Sequence, residues 1–70
     1  MSITAYLHKD TNLREGPGSD YPIRANVGKN RGVEILDKKS EWPWVKVRVS
    51  QGDHKGKLGW MHSDNLDMDR

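Results

Sequence analysis

Seventy residues make one domain. A chain of that size buries only about 60% of the surface its unfolded form exposes, which leaves room for a compact core but not for a deep catalytic pocket. The absence of cysteine excludes a disulfide framework and a thiolate metal site. A net charge of +2 is far from the clustered charge of a dedicated nucleic-acid binder, and no stretch approaches the roughly 20 apolar residues of a membrane span.

Residues 1–10 lack the apolar run of a signal peptide. Within them Ile3, Ala5 and Leu7 alternate with Thr4 and Tyr6, which predicts a first strand with one buried face. Residues 10–22 are rich in Gly, Pro, Asp and Asn and predict a long ordered loop or irregular hairpin, pinned by Leu13 and Ile23. Residues 24–27 predict a short strand. Residues 28–32 predict a turn, with Gly28 and Gly32 available for positive φ. Val33, Ile35 and Leu36 mark the next strand, and residues 37–43 a polar loop that contains Trp42. Residues 44–49 carry the clearest strand signal, with Val45, Val47 and Val49 on one face and Trp44, Lys46 and Arg48 on the other. Residues 50–57 are a polar loop with Gly52 and Gly56, and residues 58–61 a further strand. Ser63, Asp64, Asn65 and Leu66 suit a single 3₁₀ turn, because short polar side chains bond local backbone. Residues 67–70 are expected to fray. Five or six short strands and no helix of useful length argue a small barrel or sandwich.

The segment Asn12-Leu13-Arg14, Gly16-Pro17-Gly18 and Tyr21-Pro22 resembles the opening motif of bacterial SH3 domains. Gly32 to Leu36 resembles that family's central strand, Trp44-Val45-Lys46-Val47 its Trp-x-Lys-Val strand, and Gly59 to Leu66 its closing strand and 3₁₀ turn. The pieces arrive in the family's order and span residues 3–66, the core of a single domain covering residues 1–70. The resemblance implies an all-β, five-stranded SH3-like barrel with a long RT-type loop and a short 3₁₀ turn near its end. It also implies binding rather than catalysis. Many members sit beside cell-wall hydrolases and recognise peptidoglycan, and others dock proteins.

Aromatic residues carry the candidate site. Alternation places Trp44 opposite the valine face, where it either lines a ligand groove or covers a hydrophobic patch on the sheet. If Met61 points inwards, Trp60 points out beside Trp44. Trp42 lies in a loop stiffened by Pro43 and either anchors an interface or folds over Trp44 as a cap. Tyr21 either presents its ring to a ligand or pins the long loop through a buried hydrogen bond, and the two are compatible. Trp42, Trp44, Trp60 and Tyr21 are expected to form one aromatic patch suited to sugar faces, proline rings or peptide side chains. Asp20, His62 and Asn65, with Glu15 and Asp64, are its expected polar partners. By the resemblance, His62 stands where eukaryotic SH3 domains carry a groove proline and Asn65 where they carry a tyrosine, so proline-rich recognition is disfavoured.

His8, His54 and His62 have no partners at metal-ligand spacing and are expected to be solvated. No thiol or nucleophile elbow suggests an enzyme, and no catalytic residue, metal or cofactor is expected. The leading reading is a module binding a cell-wall peptide or glycan, peptidoglycan above all. The alternative is a protein–protein docking module. Nucleic-acid binding ranks third, because Glu34, Asp37, Glu41 and Asp53 break up the basic field of Lys46, Arg48, Lys55 and Lys57. A monomer is expected, in the cell envelope if the domain belongs to a longer parent and in the cytoplasm if Met1 is the native start.

Overall fold

A computed structural model describes residues 3–39 and 41–68. Seven strands run in chain order: β1 (Ile3–Leu7), β2 (Thr11–Arg14), β3 (Ile23–Val27), β4 (Gly32–Lys38), β5 (Trp44–Val49), β6 (Leu58–His62) and β7 (Leu66–Met68). A 3₁₀ turn at Ser63–Asn65 joins the last two. All seven form one antiparallel sheet in the order β3-β2-β6-β5-β4-β1-β7. The all-β class, the long loop and the 3₁₀ turn are as expected from sequence, but the strands number seven rather than five. β2 occupies the start of the segment read as a long loop or irregular hairpin, and it pairs with β3 as an antiparallel hairpin whose register shifts. β7 takes Leu66, expected in the 3₁₀ turn, together with Asp67 and Met68, where the tail was expected to fray; residues 69–70 lie outside the described residues.

One face of the sheet encloses a single cluster. Ala5 and Leu7 of β1, Leu13 of β2, Val27 of β3, Val33 and Ile35 of β4, Val45, Val47 and Val49 of β5, and Met61 of β6 are buried together. Leu66 of β7 packs against the same cluster. Strands at both ends of the sheet therefore reach one core, so the sheet must curl around it. Among the described residues no ladder joins β3 to β7, the two ends of the strand order.

Two irregularities redirect side chains. The β2–β3 register shifts between Leu13 and Arg14, so that Leu13 faces Ala25 but Arg14 faces Ile23. Ile23 is thereby set against an outward residue and stays 53% exposed, so Leu13 alone pins the loop to the core. A second shift between Ile35 and Asp37 leaves Leu36 exposed rather than in the core. Ile3, at the start of β1, is exposed too. In the turn before β4 the positive φ belongs to Asn30 (73°), not to either glycine. A short polar side chain tolerates this conformation.

Gly59 marks the tightest approach in the sheet. A Cβ there would lie 2.6 Å from the Leu13 Cγ and 2.8 Å from the Arg14 carbonyl oxygen, which is backbone and cannot swing away. Gly59→Ala is therefore expected to cost about 1–3 kcal/mol of stability, read as a lowered denaturation midpoint. Gly56 has φ +94° and open space around it. Gly56→Ala should cost only about 1–2 kcal/mol of backbone strain. Amide hydrogen exchange should be slowest in β5, which is paired on both sides, and fastest in the three-residue edge strand β7. Equal protection of the two would contradict the topology.

Candidate ligand-binding surface

The pairing of β5 with β6 decides which side chains face out. Val45 opposite Met61 and Val47 opposite Gly59 point into the core. The intervening pairs, Trp44 with His62, Lys46 with Trp60 and Arg48 with Leu58, must then share the outer face. Trp44 and Trp60 occupy diagonal positions on neighbouring strands, as alternation predicted. The Trp44 and His62 rings meet edge-on, with centroids 5.4 Å apart and planes at 74°.

Trp42 joins this face from the loop before β5. Its N–H donates to the Lys39 carbonyl at 3.1 Å, and the next carbonyl, that of Pro43, accepts from the Ser63 N–H at 2.6 Å. The loop is thus fastened to the start of the 3₁₀ turn. The Trp42 ring lies 6.3 Å from that of Trp60, tilted by 55°, a contact worth about 0.5–1.5 kcal/mol. Lys39 holds its ammonium 4.6 Å above the Trp42 ring. Trp42 remains 44% exposed, outside the core cluster and in ring contact with Trp60 rather than Trp44.

Tyr21 lies beside this patch without a ring contact to it. Its ring packs on Gly16, where a Cβ would come within 2.4 Å of the ring carbons. The Tyr21 carbonyl accepts from Arg14 Nη1 at 2.9 Å, and Arg14 is the β2 residue opposite Trp60. Tyr21 therefore pins the loop through its ring and carbonyl and leaves 47% of its surface open. Asp20 is exposed next to it, with no hydrogen bond or ion pair among the described residues.

His62 caps the 3₁₀ turn: its Nδ1 accepts from the Asp64 N–H at 3.1 Å. The same nitrogen lies 3.6 Å from the Asp64 carboxylate, but it cannot accept from the amide and donate to the carboxylate at once. The amide bond is the shorter, so the ring proton belongs on Nε2. Asn65 is half-buried in the turn and uses its carbonyl to accept from the His8 N–H at 3.1 Å. Its side chain makes no bond among the described residues. His8 is exposed, as expected, and also donates from Nε2 to the Asp64 carbonyl, which ties the end of β1 to the turn.

The sequence reading did not bring Arg14 to this surface. Arg14 and Lys46 flank Trp60 from opposite sides, on β2 and β5. Arg48 is engaged by Glu34 at 2.7 Å, whereas the Lys46 side chain has no hydrogen bond or ion pair among the described residues. A separate polar cleft of about 160 Å³ lies between the β3–β4 turn and the β5–β6 loop, lined in part by Arg31, Asp53 and His54. It is concave where the aromatic surface is open, but its volume falls short of the roughly 300 Å³ at which ligand pockets begin. Among the described residues no three His, Cys, Asp or Glu side chains converge as a metal-binding set.

The bacterial SH3 domain model matches residues 9–67. The chain is also similar to the probable cell wall amidase LytH of Staphylococcus saprophyticus, with 30% identity over 70 residues. That alignment takes in 99% of this chain and 23% of the amidase, so the chain spans less than a quarter of that relative's length. No solved structure matches the chain. A family match running from just after β1 into β7 takes in the aromatic face and every core residue outside β1, and the chain belongs to the bacterial SH3 domain family.

Proposed function

We propose that this domain is a non-catalytic recognition module that binds a component of the bacterial cell wall, peptidoglycan above all, through the outer face carrying Trp42, Trp60, Trp44 and His62. The observation that carries the reading is the Trp42–Trp60 pair. One indole is fixed on a strand and the other is held against it by a fastened loop, yet Trp42 keeps 44% of its surface open. Such a pair is ordered before a ligand arrives, so binding loses little side-chain entropy. Indole faces accept the C–H faces of sugars and the aliphatic parts of peptides alike. Covering the open part of Trp42 removes roughly 100 Å² of mainly apolar surface from water, at most about 2–3 kcal/mol. Similarity to a probable cell wall amidase over nearly the whole chain supports the wall as the setting.

Co-sedimentation with purified peptidoglycan sacculi tests this. The wild-type domain should pellet with sacculi, and Trp42→Ala should weaken that binding by about tenfold or more. Trp42→Ala should stay folded, losing no more than about 1–2 kcal/mol, because it gives up one ring pair and one cation–π contact. A folded wild type that fails to pellet at physiological salt would overturn the wall reading and favour a protein partner. Loss of folding in Trp42→Ala would show a structural cap instead of a binding rim.

A further inference from the structure

The sheet places a cation on each side of Trp60. Arg14 on β2 and Lys46 on β5 are its direct cross-strand neighbours, and all three side chains share the outer face. The two cations start two strand spacings apart, about 9–10 Å, a gap that two long side chains can close around one small anion. Arg14 is already oriented, because one guanidinium nitrogen donates to the Tyr21 carbonyl. A guanidinium has five N–H donors, and no other bond of this one is present among the described residues. Lys46 is half-buried, so its stem is covered by neighbours, yet its ammonium has no partner among the described residues. Even Asp37, opposite Lys46 in the β4–β5 register, makes no ion pair with it. Arg48, two residues along the same strand, is already paired with Glu34.

We infer that this surface recognises a carboxylate, held between Arg14 and Lys46 at the edge of the Trp60–Trp42 pair, and that its ligand is a short acidic peptide of the wall. The inference rests on the wall-binding reading and names the part of the wall engaged. A guanidinium fork beside a point-like ammonium matches one carboxylate. A long polyanion fits worse, because Asp37, exposed and opposite Lys46 in the β4–β5 register, interrupts the positive field. The apolar part of the peptide would rest on the indoles.

The test compares wild type, Lys46→Gln, Lys46→Arg and Arg48→Gln for binding to three preparations of sacculi. The preparations are untreated, stripped of phosphodiester polymers with hydrofluoric acid, and carboxylate-capped by carbodiimide coupling to ethanolamine. Lys46→Gln should bind untreated sacculi about tenfold more weakly. Lys46→Arg should keep most of the affinity, and Arg48→Gln, which removes the same charge from an engaged side chain, should bind as wild type. Stripping should change nothing. Capping should abolish the difference between wild type and Lys46→Gln. Binding should also fall as salt rises from about 0.05 to about 0.5 M, since the site is open to screening. Three results would overturn the inference: equal binding of Lys46→Gln and wild type, a difference that survives capping, or loss of binding on stripping, which would point to a phosphodiester polymer. If any of these comes with Trp42-dependent binding to sacculi, the carboxylate site fails and the wall reading stands. A wild type that never pellets overturns both.

Discussion

The register of β5 against β6 is the constraint on which the rest depends. Val45 lies opposite Met61 and Val47 opposite Gly59, with all four buried. Because side chains alternate across a strand, a slip of one residue would drive Trp44, Lys46 and Arg48 into the core and expose three valines. Gly59 reinforces the choice from the other side. Only a residue without a Cβ lets β2 come so close that the Arg14 carbonyl and Leu13 side chain occupy that space. The contact that closes β2 onto β6 is therefore the one that sets Arg14 beside Trp60. Core packing and the layout of the outer face are the same decision.

A domain this small has little stability to spare, so its loops are fixed by backbone bonds. The Pro43 carbonyl is tied to Ser63, the Asn65 carbonyl to His8, and the Glu15 N–H to the Pro22 carbonyl at 3.0 Å. Each of these joins chain segments that flank the aromatic face or its adjoining loop. The result is a surface whose indoles are held by the scaffold while the scaffold's own core remains elsewhere. Such a surface can exchange ligand-facing residues with small stability cost. The edges are modest: β7 has only three residues, and the outer strand β3 carries a charged Arg24 whose Nη1 donates to the Leu58 carbonyl at 2.8 Å. Short length and a charged side chain on the edge both discourage edge-to-edge pairing with other chains.

Much of this was readable in the sequence where period-two alternation is strong. β5 appears with the boundaries its valines announce, and the outward orientation of both Trp44 and Trp60 follows from the same alternation. What failed to show depended on pairing between distant segments. β2 hid within a Gly-Pro-Asn-rich stretch, although Thr11 and Leu13 are both buried. Ile23 looked like a core pin, but a register shift set it opposite Arg14. β7 is too short to carry a period. Within the candidate site, the sequence supplied the aromatic residues but not their arrangement. Contact of Trp42 with Trp60 rather than Trp44 depends on the loop backbone, and the flanking of Trp60 by Arg14 depends on a β2–β6 pairing that no local pattern encodes. Of the two compatible readings of Tyr21, a ring presented to a ligand and a loop pin through a buried hydrogen bond, the structure shows a loop held through the ring and carbonyl and no buried hydroxyl bond among the described residues.

The claim that the outer aromatic face is the ligand surface can be read directly from the three tryptophan indole signals in a ¹⁵N–¹H spectrum titrated with soluble peptidoglycan fragments. The indole N–H resonances of Trp42 and Trp60 should move together and saturate, with the amides of Arg14 and Lys46 following the same curve. Saturable shifts confined to residues 26–31 and 51–54, with all three indoles unmoved, would place the ligand in the polar cleft and contradict the account.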